Sequence, residues 1–301
     1  MGSPVAGTPD RESAPVVVGI DGHSDSAVRW AARAAVARRR PLRLLCALEI
    51  SSVQSVFGRF DLFTPSVPDT VRAQGAERLQ HARRLAGMID PDLAVAVELT
   101  EEEAADALVA RSGDAHLTVI GAGRGGSRLG STLLAVTAHA TGTVVVVRGD
   151  ADARAGLPVV VGVDGSDLSR AAAAAAFAEA ALRGVPLVAV HTWDDLRFEK
   201  AAALPDPVDD AESIAESHRL LTEVLAPGRA EYPAVEVEPQ VYRYSPAHHL
   251  LEWSAEAQLV VTGSRGRGGF RGLLLGSTSN ALVQHAQCPV MVVHRGTEHG
   301  R

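Results

Sequence analysis

Short apolar runs recur along the chain, each closed by glycine, proline or a small polar residue and each followed by a longer alanine-rich or amphipathic stretch. The first, from Val16, ends at Asp21-Gly22 and predicts a strand and a turn. A polar start at Ser24 or Asp25 opens the helical stretch AVRWAARAAVARRR, and Pro41 stops it. Strands are expected at Leu42–Leu48, near Leu93–Leu99, at Leu117–Ile120 and at Val144–Val147, with a helix over Val71–Met88 and further helices between the later strands.

The opening text then returns. Pro15-Val16-Val17-Val18-Gly19-Ile20-Asp21-Gly22 reappears 143 residues later as Pro158-Val159-Val160-Val161-Gly162-Val163-Asp164-Gly165, a duplication at the scale of a domain. The second copy predicts a helix beginning at Asp167 or Ser169 and stopped by Gly184 and Pro186, a strand Leu187–Thr192, a helix Ala211–Leu225, and strands Val235–Tyr242, Leu259–Thr262 and Val290–Val293. Each half reads β-α-β-α-β-α-β-α-β. Continuously apolar strands linked by helices suit a parallel sheet covered on both faces, with right-handed crossovers. The expected fold is α/β: two tandem doubly wound, Rossmann-like domains over residues 14–149 and 157–296, each with a five-stranded, mainly parallel sheet.

Length and composition agree with two ordinary globular domains, at 301 residues and 46% hydrophobic content. A net charge of −7 lacks the basic footprint of a nucleic-acid binder. Cys46 and Cys288 lie in or beside apolar runs and read as core thiols in a reducing, cytoplasmic setting. No apolar run reaches the roughly 18 residues of a membrane span, and Met1–Ala14 lacks the apolar block of a secretion signal and reads as a disordered lead-in. Aromatic- and proline-bearing stretches at 51–70 and 193–210 are either lids or partner surfaces, or ordered connections packed on their domains.

Candidate chemistry concentrates in Leu259–Asn280, where a strand empties into a loop carrying Gly263, Gly266, Gly268, Gly269, Gly272 and Gly276 ahead of Ser277-Thr278-Ser279-Asn280. Glycines let a ligand approach the backbone. Hydroxyls and unpaired amides at a helix start favour an anion. The spacing G-x2-G-x9-G-S has no lysine for a Walker loop and too wide a spread for a dinucleotide fingerprint. A glycine-rich surface loop whose serines cap the next helix fits the same residues. In a doubly wound domain, ligands sit at the carboxyl ends of the strands near the switch point, where Asp164, Thr192 and Gly263 would share one edge.

The opening V-V-G-V-D-G-S, the later V-T-G-S-R-G, the nine-residue gap, G-S-T-S and the closing C-P-V-M-V-V together resemble the universal stress protein family in its tandem form, from Val16 to His294. In the ATP-binding branch, the resemblance implies, an aspartate closing the first strand faces the nucleoside and the residue ending the second strand meets adenine through its backbone. Those positions are Asp164, flanked by Gly162 and Val163, and Thr192. Ribose and phosphates of ATP, with Mg²⁺, would then lie against Gly263, Ser264, Arg265 and Gly266 on one side and Gly276, Ser277, Thr278 and Ser279 on the other.

The first half departs from that pattern. Eight residues separate Gly121 from Gly130, against twelve between Gly263 and Gly276, and Arg124 replaces the inner glycine. Asp21, Ala47, Gly121, Gly130, Ser131 and Thr132 remain, so a complete site is expected in the second half and a weakened one in the first. The resemblance also implies that Val144–Val147 and Val290–Val293 pair within the chain as an intramolecular pseudo-dimer; pairing of whole chains into a homodimer stays open.

Gly22–Ser26 resembles the phosphate loop of ATP pyrophosphatases, but its glycine pair is broken and it serves equally as a helix start. His248-His249 has no third ligand at an evident metal spacing, and His139 and His285 occupy equivalent repeat positions, so all four read as structural or surface residues, with no metal site. No catalytic constellation stands out. The expected function is an adenine-nucleotide-dependent regulatory or stress-response protein with an unidentified protein partner, at most a slow ATPase. A nucleotide-dependent hydrolase or transferase and a nucleotide-free interaction module are the alternatives.

Overall fold

A computed structural model describes residues 14–48, 66–123, 130–193, 210–267 and 274–294. The lead-in and most of the two aromatic-bearing connections lie outside these residues. The chain divides into two compact units, Met1–Gly121 and Ala122–Arg301.

In the first unit, β1 (Val16–Gly19), α1 (Asp25–Ala37), β2 (Leu42–Ala47), α2 (Ser66–Ile89), β3 (Val95–Thr100), α3 (Ala104–Ser112) and β4 (Leu117–Gly121) follow in order. Strand β1 is central, parallel to β2 with Val16 opposite Leu42 and to β4 with Val16 opposite Leu117. Beyond β2 lies β3, with Leu42 opposite Val95. The central strands carry buried β-branched residues, whereas β3, on the edge, leaves Val97 and Leu99 exposed.

The second unit begins with α4 (Ser131–His139) and β5 (Val144–Val147), crosses a 3₁₀ turn (Asp152–Arg154), and continues through β6 (Val159–Gly162), α5 (Asp167–Arg183), β7 (Leu187–Thr192), α6 (Asp210–Glu231), β8 (Val237–Tyr242), α7 (Pro246–Trp253), β9 (Leu259–Gly263), α8 (Ser277–His285) and β10 (Val290–Val293). Strands β10, β9, β6, β7 and β8 are successive parallel neighbours. Connections leave β6 in opposite directions, towards β7 and eventually back to β9, which puts the switch point between β6 and β9. The two closing valine strands do meet: β10 pairs antiparallel with β5, Val290 opposite Val146. All four residues of each strand are buried, so neither is left as a sticky free edge.

Several helix ends differ from the sequence expectation, and α2 begins at Ser66 in place of Val71. The start of α5 is capped one residue earlier, by Ser166, whose Oγ accepts the Ser169 N–H at 3.2 Å; Gly184, at φ 64°, closes the same helix in the left-handed conformation that glycine adopts without steric cost. Helix α6 runs through Pro227 to Glu231 instead of stopping at Leu225. Packing overrides propensity here. Gly228 lies directly against the fully buried ring of Phe177, which also stacks on Tyr232 at a centroid distance of 6.4 Å.

Cys46 and Cys288 are free and buried, and burial pushes the Cys288 thiol up to about 12, which removes it from nucleophilic chemistry. Among the described residues no helix is long and apolar enough to cross a membrane.

The packing at Gly228 is testable. Because an added methyl would drive into Phe177, Gly228→Ala is expected to destabilise the fold by about 1–3 kcal/mol. Gly87→Ala, in α2 with open space around the site, is expected to stabilise by about 0.5–1 kcal/mol through helix propensity. Chemical unfolding of the two variants should shift in opposite directions.

Candidate functional site

The carboxyl edge of β6, β7 and β9 brings together three segments that are far apart in sequence. Strand β6 delivers Val163, whose N–H donates to Val190 O at 2.8 Å, and whose carbonyl lies 2.7 Å from Nδ1 of His191. His191 is buried. This histidine was not singled out from the sequence, although its place in the otherwise apolar run LVAVHT was a visible signal. It ties the end of β6 to β7 immediately before Thr192, itself buried at the last position of its strand.

Asp164 comes next, half-buried. Its Oδ1 accepts the Ser166 N–H at 2.9 Å and its Oδ2 accepts the Arg267 N–H at 2.7 Å. Burial alone would push this carboxyl up, but the bonds from Ser166, Arg267 and Ser169 outweigh it and hold Asp164 below the usual carboxylate range. The bond to Arg267 explains one glycine and the turn explains another. A Cβ on Gly266 would collide with Oδ2 of Asp164, and Gly165, at φ 81°, holds a left-handed conformation that a side chain would strain. Sequence reasoning chose Arg265 and passed over Arg267, because the latter contributes a backbone amide and leaves no side-chain signature.

The loop is pinned at its far side as well. Ser264 N–H donates to Val293 O at 2.7 Å, Gly276 N–H donates to Ser264 O at 2.8 Å, and Ser279 Oγ donates to Gly263 O at 2.6 Å. Ser264 and Ser279 are buried, and Arg265 and Gly266 are exposed. The Ser279 proton is thus committed to the loop, while Ser277 and Thr278 keep solvent access. The first backbone bond of α8 is Asn280 N–H to Gly276 O at 2.9 Å, so the amides of Ser277, Thr278 and Ser279 belong to the turn with no intrahelical acceptor. Gly276 itself has Arg265 Cα 3.4 Å from the position of an added Cβ. Residues 268–273, the middle of the loop, lie outside the described residues.

The corresponding residues of the first half are set differently. Asp21 is exposed, its Oδ1 accepting the His23 N–H at 2.7 Å, and Ala47 and Gly121 end β2 and β4 of the first unit. Gly130, Ser131 and Thr132 open α4 in the second unit. An added Cβ on Gly130 meets nothing within 4 Å. The expected obstruction at Arg124 lies outside the described residues.

His139 and His285 sit exposed in the last turns of α4 and α8. The reading of His248-His249 needs correction: Glu252 supplies a third potential ligand, and the three side chains place ligand atoms within 4.8 Å of one another.

The ionisation of Asp164 makes stability depend on pH. Its folded value is depressed, so its contribution to stability is fully present above the unfolded carboxylate range, near 3.9, and is lost as pH falls through the lower folded value. Asp164→Asn is expected to cost about 1–3 kcal/mol at pH 7, the scale of a hydrogen bond to a charged group. The difference from the parent should shrink towards pH 2. Unfolding curves of both proteins across that range would check it; a constant gap would contradict the assigned protonation.

The universal stress protein family model matches residues 13–148 and again 157–294. A universal stress protein of Mycolicibacterium smegmatis is 40% identical over 295 residues, covering 92% of this chain and 96% of its own length. One of Mycobacterium tuberculosis is 37% identical over 294 residues, covering 92% and 95%. The crystal structure of an Archaeoglobus fulgidus universal stress protein superposes with a TM-score of 0.69 at 18% identity, covering 96% of this chain and 98% of that one, a likeness of fold. With both copies of the family pattern present in one polypeptide, the chain belongs to the universal stress protein family.

Proposed function

We propose that the second half binds ATP at the edge where β6, β7 and β9 end, and that the protein is a cytoplasmic, nucleotide-dependent regulator in a stress response, acting through a protein partner. The observation that carries this reading is the hydrogen bond from the Arg267 amide to Asp164, 103 residues away, on a loop whose two sides are joined by the Ser264–Gly276 bond. A carboxylate has about four lone-pair positions. Two on Asp164 serve backbone amides, and ribose hydroxyls would share the carboxylate with the neighbouring Ser166 and Ser169 side chains. The first-turn amides of α8, with the hydroxyls of Ser277 and Thr278, suit the phosphates, and the Thr192 backbone suits adenine.

Mg²⁺ fits this site as a companion of the phosphates. The described residues of the loop offer it hydroxyls, and the Asp164 carboxylate is already engaged. For the same reason hydrolysis is expected to be slow at most: the carboxylate in the site is tied to two amides and is poorly placed to activate water.

Titration calorimetry of the nucleotide-stripped protein with ATP and Mg²⁺ tests the assignment. About one site per chain is expected, with a thermal stabilisation of about 2.7 kcal/mol at 100 times Kd. Gly276→Val should abolish binding with little loss of fold, since its backbone angles, φ −68° and ψ 156°, suit any residue. Gly130→Val should matter less. Absence of binding would remove the nucleotide reading, and equal effects at the two glycines would remove the asymmetry between halves.

A further inference from the structure

Helix α7 carries His248, His249 and Glu252 on successive turns. Nε2 of His248 lies 3.3 Å from Oε1 of Glu252, and Nδ1 of His249 lies 3.2 Å from Oε2. We propose that these three side chains form a zinc site with two imidazole ligands, one carboxylate and a solvent-facing position completed by water.

The same geometry serves two separate ion pairs and a shared cation. Tetrahedral Zn²⁺ with bonds near 2.0–2.1 Å holds its ligand atoms about 3.3 Å apart. The two contacts, one on each oxygen of the Glu252 carboxylate, have that separation, and one ligand atom from each of the three residues lies within 4.8 Å of the others. Imidazole and carboxylate together suit Zn²⁺, which brings no d-electron preference that neighbouring histidines would have to satisfy. Exposed ion pairs, by contrast, contribute little by themselves.

His249 is also held from behind. Its ring stacks on Tyr242 at a centroid distance of 3.9 Å and an interplanar angle of 11°. The Tyr242 hydroxyl accepts the Trp253 Nε1–H at 3.1 Å. A supporting shell of this kind fixes ring orientation before a metal arrives.

The internal repeat supplies an independent control. Leu108 packs on Gly19 in the first half as Leu250 packs on Gly162 in the second. Aligned on those leucines, the positions of His248, His249 and Glu252 are occupied in α3 by Asp106, Ala107 and Ala110. The same helix therefore folds onto the same strand without any of the three ligands. Their presence in α7 is not a demand of the fold.

Zinc titration of the full-length, chelator-stripped protein, read by calorimetry and by competition with a chromogenic chelator, tests the site. The wild type should bind about one Zn²⁺ per chain. His248→Ala and Glu252→Gln should each weaken binding at least tenfold with unchanged melting in the absence of metal, since both side chains are largely exposed. His81→Ala removes an exposed imidazole that pairs with Asp25 outside this cluster and should leave affinity unchanged. No zinc retention by the wild type, or equal affinity in the parent and both ligand variants, overturns the proposal.

Discussion

A half-buried carboxylate at the end of a central parallel strand sets the terms for the candidate site. Asp164 has to stay ionised where burial opposes ionisation, and it does so by accepting two backbone amides, one from the turn that starts α5 and one from the distant glycine loop. Leaving such a charge without donors costs several kcal/mol. The loop must therefore pass within 2.7 Å of the carboxylate, and a loop that passes so close has no room for a Cβ at Gly266. Once that approach is fixed, the Ser264–Gly276 and Ser279–Gly263 bonds set where α8 begins. The strand end and the helix start are thus linked through one charge, a more exacting constraint than glycine flexibility alone.

Duplication makes the meaning of these contacts easier to see. Near-identical text, Val-Val-Val-Gly-Ile-Asp-Gly and Val-Val-Val-Gly-Val-Asp-Gly, forms β1 and β6 with the same burial pattern. The turns leaving the two strands differ. Asp21 is exposed and closes a local turn with His23, whereas Asp164 is half-buried and reaches across the sequence to Arg267. Ser24 bonds back to Asp21, whereas Ser166 caps its helix. The strand sequence belongs to the sheet in both halves. What differs is the partner that the second loop brings to the aspartate.

The difference between sheet and site also explains what could be read in the sequence. Strand positions and the repeat were legible because buried parallel strands need apolar runs and their ends need turn residues, both local properties. The meeting of β5 with β10 was anticipated from family resemblance, since no pattern within either valine run names its partner; its antiparallel direction comes from the structure. The passage of α6 through Pro227 was illegible locally, because the compensating contact is with Phe177 on another helix. Arg267 escaped notice for a related reason: its amide binds Asp164, and any residue other than proline offers an amide. Glu252 is the instructive exception. Its spacing of four from His248 and three from His249 put all three on neighbouring helical positions, so the triad was present in the sequence as a helical pattern.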